Sequence, residues 1–92
     1  MKYVKNASTK LRLILSSIDD KVTEKEIQKA YDIIHSSPVA SNYSVKGIES
    51  EILGLVDILY DNVSDNQNDR AVKTADRIIK LANERNMQLK IR

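Results

Sequence analysis

Apolar residues in this chain recur three and four positions apart in four separate stretches, and that spacing confines the fold to helices. Ala7, Leu11, Ile14, Leu15 and Ile18 share one helical face. Ile27, Ala30, Tyr31 and Ile34 form a second stripe, and Val45, Ile48, Ile52, Leu55, Val56 and Leu59 a third. Ala71, Val72, Ala75, Ile78, Ile79 and Ala82 form the fourth. No segment rich in β-branched residues alternates with period two. Each stripe must be buried against another, and 92 residues suffice for one core and not two. The expected fold is all-α, an antiparallel up-down four-helix bundle, with residues 1–92 as a single domain.

Local signals place the boundaries. Asp19 and Asp20 oppose the negative end of a helix dipole, so the first helix is expected to stop near Ser17. Thr23-Glu24-Lys25-Glu26 has the spacing of a capping box and predicts a second helix from there. Pro38 bars the helical conformation at Ser37 and ends that helix near Ser36. Ser44 is the expected cap of the third helix. The helices are thus predicted at about 6–18, 24–36, 44–61 and 67–86, with residues 87–92 as a short tail. Gly47 and Gly54, two turns apart on one face, predict a close approach between helices.

Groups that carry out chemistry are scarce. The chain has no cysteine and one histidine, His35, which suits the last turn of a helix and has no sequence neighbour to complete a site. Glu49 and Glu51 are two apart and point to different faces. The polar stretch 61–68 lacks the glycine and terminal glutamate of a calcium loop, and no glycine-rich phosphate loop is present. The expectation is a binding protein that is not an enzyme and needs no cofactor or metal. No signal-peptide core follows the basic N-terminus, and no run is long enough to span a bilayer. A soluble, cytoplasmic protein is therefore expected.

Charge is distributed unevenly along a chain whose net charge is only +2. Residues 1–18 hold Lys2, Lys5, Lys10 and Arg12 and no acid. Residues 19–69 hold eleven acids against four lysines, and residues 70–92 hold seven basic residues against Asp76 and Glu84. If the first and last helices are neighbours, their basic faces merge on one side of the bundle. Arg70, Lys73, Arg77 and Lys80 form one row on the last helix, and with Lys90 and Arg92 they are the candidate partner-binding residues. Such a row can solubilise, or it can meet an acidic protein, an anionic membrane surface or nucleic acid. Nucleic acid is disfavoured, because no aromatics interleave with the basic residues and the connection between helices two and three is too long for a helix-turn-helix.

In size, helix number, basic pI, lack of cysteine and the pattern of its third and fourth helices, the chain resembles the class IIa bacteriocin immunity proteins of the enterocin A immunity type. The local segment is Leu55-Val56-Asp57-Ile58-Leu59-Tyr60, followed by a polar linker and an amphipathic last helix from Arg70 to Asn86. The family's glycine-containing turn and aromatic tail after that helix are replaced here by 81–92. The resemblance implies a cytoplasmic protein of a Gram-positive bacterium that protects the producer cell. Its partner would be a protein, a membrane permease–bacteriocin complex, contacted at the inner face by the C-terminal half. Two other classes fit the same pattern: a regulatory or nucleic-acid-associated protein of phage or plasmid type, and an adaptor bundle that dimerises through Leu13, Ile33 and Leu53. The oligomeric state and the cognate peptide are not encoded in any readable motif.

Overall fold

Four helices form in chain order, and the computed structural model describes them over residues 3–90. They are α1 (Tyr3–Leu15), α2 (Lys21–His35), α3 (Lys46–Ser64) and α4 (Asn68–Lys90), with a single 3-10 turn, Tyr43–Val45, leading into α3. Short connections at 16–20 and 65–67 fold the chain into two antiparallel hairpins, α1–α2 and α3–α4. The hairpins lie on each other so that α1 packs on α3 and α2 on α4. Tyr3 lies beside Glu49 and Lys10 beside Asp57, so α1 and α3 run parallel. The result is a slim rod of 40 × 19 × 19 Å.

The core is the four predicted stripes. Ala7, Leu11, Ile14, Ile27, Ala30, Ile34, Ile52, Val56, Leu59, Ala71, Ala75, Ile78 and Ala82 are all buried. Five of these are alanines, which allow the helices to close to a narrow cross-section. At roughly 1.5–3 kcal/mol for each large aliphatic side chain removed from water, these residues supply the main force for folding.

The helix ends differ from expectation by physical details of capping. Helix α1 begins at Tyr3, three residues early, because Tyr3 and Val4 are themselves buried. Helix α2 begins at Lys21 because Asp20, not Thr23, is its cap. The Asp20 carboxylate accepts the Thr23 amide at 2.9 Å and the Thr23 hydroxyl at 2.6 Å, which leaves Thr23 buried in the first turn. Those two bonds hold the Asp20 carboxyl below its ordinary pKa. Ser44 does not cap α3: Asn42 caps the 3-10 turn, accepting the Ser44 amide at 2.9 Å, and α3 follows directly from Val45 with no side-chain capping bond.

Helix α3 continues three residues past the predicted end. It closes with Asn66 in the left-handed conformation at φ 57°. The Asn66 and Gln67 amides donate back to the Val63 and Asn62 carbonyls, the bonding of a Schellman motif. Helix α4 absorbs most of the predicted tail and runs to Lys90.

Two expectations fail on packing. A Cβ added at Gly47 or Gly54 would meet nothing within 4 Å, so neither glycine marks a close helix approach. Both are exposed. And α1 and α4 are not neighbours: each packs on α2 and α3, and the two face each other across the diagonal. The connection 36–45 is long enough to carry the chain from α2 across the end of the bundle to the diagonal position of α3.

Because the two glycines cost helix entropy and buy no contact, Gly47→Ala and Gly54→Ala should each stabilise the fold by about 0.5–1 kcal/mol. Urea unfolding followed by circular dichroism checks this; a loss of stability would mean the glycines have a role the packing does not reveal.

Candidate functional site

The diagonal crossing creates a local problem. A connector laid over the end of a bundle leaves backbone carbonyls that have no helical partner. Arg85, near the end of α4, solves it. Its side chain is completely buried, and that of Glu49 is 3% exposed. The guanidinium donates to the Glu49 carboxylate at 2.9 Å, to the Pro38 carbonyl at 2.8 Å and to the Ala40 carbonyl at 2.9 Å. It also donates to the Asn86 side-chain oxygen at 3.0 Å. The Ser41 hydroxyl approaches both Glu49 oxygens, and the Asn86 amide donates to Ser37 at 2.8 Å. Tyr3 lies with its ring centroid 4.8 Å from the guanidinium carbon, a cation–π contact that caps the cluster from α1. Burial pushes the Tyr3 phenol up to about 12; Arg85 opposes that shift and Glu49 adds to it.

These two charged residues were not singled out in the sequence as partners. The signal was their phase. Glu49 falls one heptad before Val56, and Arg85 one heptad after Ile78, so both sit on the buried stripes. Each charge in the cluster has its counter-charge at 2.9 Å, and the Glu49 side borders a surface pocket, shared with Lys46, Ser50 and Leu53 of α3.

The predicted binding residues are placed differently. Arg70, Lys73, Arg77, Lys80 and Lys90 are all exposed on α4, and Arg92 lies outside the described residues. Arg77 pairs with Glu51 at 3.2 Å, and Lys80 with Asp76 at 3.0 Å. Among the described residues, Arg70 and Lys73 have no acidic partner within salt-bridge distance. The expected merger of the basic faces of the first and last helices does not occur. Helix α3 lies between them on one side, with its acids paired outward: Asp57 to Lys10 of α1 at 3.1 Å, and Glu51 to Arg77 of α4. Such exposed pairs contribute roughly 0–1 kcal/mol each and leave the charges available to a partner.

A shallow groove of about 340 Å³ runs between α1 and α3. Ile14 and Val56 line its buried part, and the Lys10–Asp57 pair and Asp61 line its rim. Leu13, 64% exposed, and Tyr60, 57% exposed, stand beside it. Of the three residues expected to offer apolar surface, Leu13 does so. Ile33 and Leu53 instead pack partly against the core. No group of three or more histidine or acidic side chains converges among the described residues. None of the described helices is long and apolar enough to cross a membrane.

No family model, curated protein or solved structure matches this chain.

Replacing Arg85 with alanine leaves Glu49 buried without a counter-charge and two connector carbonyls without donors. The expected cost is about 3–5 kcal/mol, read by urea unfolding, with faster amide exchange in 37–42. The raised Tyr3 pKa sets an alkaline limit. Its contribution to stability is complete below the ordinary value of 10.0 and is lost as pH rises toward 12. Tyrosinate absorbance and helical circular dichroism should therefore change together in that window for the native protein, and Tyr3→Phe should uncouple them.

Proposed function

We propose that this protein works by binding, as an immunity protein of the class IIa bacteriocin type. In this reading it is a cytoplasmic protein that engages a membrane permease–bacteriocin complex at its inner face and protects the producer cell. The observation that carries the reading is the exposed basic row on the longest helix. Arg70, Lys73, Arg77 and Lys80 point outward from a rod whose core is complete without them, and two of the four are not engaged by described acids. A rigid bundle holds these charges at fixed spacing, which favours recognition of an acidic protein surface over diffuse attraction.

Leu13 and Tyr60 beside the α1–α3 groove favour a second reading, a bundle that pairs with another copy. Sedimentation separates the two: a dimer that Leu13→Asp dissociates would support the adaptor.

Expression in a bacteriocin-sensitive strain should raise the dose needed to kill, and absence of protection against every peptide of the class would reject the immunity reading. Reversing charge at Arg70 and Lys73 should weaken protection while leaving the melting temperature unchanged. Full protection by that variant would remove the basic row from the mechanism.

A further inference from the structure

A second groove, of about 420 Å³, lies between α1 and the C-terminal end of α2. Its chemistry is unlike that of the rest of the surface. Lys5, Ser8, Thr9 and Arg12 fall at i, i+3, i+4 and i+7 and line it from one face of α1. His35 lines it from the last turn of α2. Three side chains able to carry positive charge therefore converge from two helices, and no acid is among the lining residues. The nearby acid of α2, Asp32, lines a different groove and accepts a hydrogen bond from Gln28.

Two further observations distinguish this groove from an ordinary basic surface. Ser8 is among the lining residues, is 95% buried (5% exposed), and its hydroxyl, buried just beneath the groove, has no hydrogen-bond partner. A buried hydroxyl without an acceptor costs free energy, and an anion seated in the groove would supply one. The cationic wall is also ordered in advance. Arg12 donates to the Tyr31 hydroxyl at 2.9 Å, and its guanidinium carbon lies 5.8 Å from the Tyr31 ring centroid. Tyr31 in turn stacks on His35 with centroids 5.1 Å apart and planes inclined by 12°. One guanidinium nitrogen is used on Tyr31, and the other donors of Arg12 remain for a ligand.

The lining also has an apolar component. Val4 contributes from α1, and Val39, 79% exposed, stands on the connector at the groove. A ligand that satisfies all of these features carries more than one negative charge, several acceptor oxygens and an apolar body. A carboxylate brings a single charge. A phosphate monoester brings about −1.5 to −2 at neutral pH with three acceptor oxygens, and so matches the cluster better. We propose that the α1–α2 groove binds a phosphate monoester with a small apolar or aromatic body, held by Lys5, Arg12 and His35 with the Ser8 and Thr9 hydroxyls. This site lies away from the basic row of α4 and does not depend on the immunity reading.

Heteronuclear NMR titration of the purified protein with phenyl phosphate tests it, with inorganic phosphate and phenol as separate arms. The expected result is saturable shifts centred on Ser8, Thr9, Arg12, His35 and Val39, with phenyl phosphate binding more tightly than either fragment. The paired change Lys5→Gln and Arg12→Gln should weaken binding by about tenfold or more. Ser8→Ala should also weaken binding while leaving the melting temperature unchanged or higher, because it deletes an unsatisfied buried hydroxyl. Arg70→Gln with Lys73→Gln should leave the affinity unaltered. The proposal is overturned if shifts fail to saturate and spread over basic residues of both α1 and α4, if the Lys5 and Arg12 variant binds as the parent does, or if phenol binds as tightly as phenyl phosphate.

Discussion

Arg85 ties three parts of the chain together at one end of the bundle. Its guanidinium joins α3 through Glu49, the α2–α3 connector through Pro38 and Ala40, and α1 through the face of Tyr3. The pair is not stabilising merely because it is an ion pair; removing both charges from water costs about as much as their attraction returns. Its effect is on alternatives. A one-turn slip of α4 along α3, or a connector that left α2 and α3 side by side, would strand a buried charge without its counter-charge. Each such state carries a penalty of several kcal/mol, comparable to the whole stability of a domain of this size. The stripes of aliphatic residues tolerate several registers, whereas the Arg85 cluster fits one.

The diagonal arrangement that this cluster secures also determines the electrostatics of the surface. With α1 and α4 apart, the basic N-terminal and C-terminal segments cannot add into a single positive side. Helix α3 separates them and pairs with each through Asp57 and Glu51. Two distinct basic regions result, one along α4 and one in the α1–α2 groove, and they differ in kind. The row on α4 is exposed along the outside of the rod, suited to a large surface. The groove is concave and partly apolar and borders Ser8, whose buried hydroxyl has no partner, features that suit a small ligand.

Much of the architecture was legible because periodicity acts locally. The positions of Ile27, Ala30 and Ile34, or of Ile52, Val56 and Leu59, identify a helix and its inner face without knowledge of what lies opposite. Boundaries were less legible, because a cap is a contest between neighbours: Asp20 and Thr23 both suit the role, and the Asp20 carboxylate takes both Thr23 donors. The glycines misled because small residues suit both close contact and open solvent, and only the neighbour's position distinguishes the two. The α1–α2 groove was half legible. The Lys5, Ser8, Thr9 and Arg12 spacing is in the sequence, but its juxtaposition with His35 and Val39 is not.

By itself, then, the sequence determined an all-helical chain, its four apolar faces and the segregation of charge along its length. These depend on hydrophobic spacing and composition, which are properties of nearby residues. Only the tertiary structure decided which helices are neighbours, which charges are buried and which basic residues share a groove. Those depend on how a ten-residue connector crosses the end of the bundle and on the donors its carbonyls find there. That choice joins residues some 45 positions apart in the chain, beyond the reach of any local pattern.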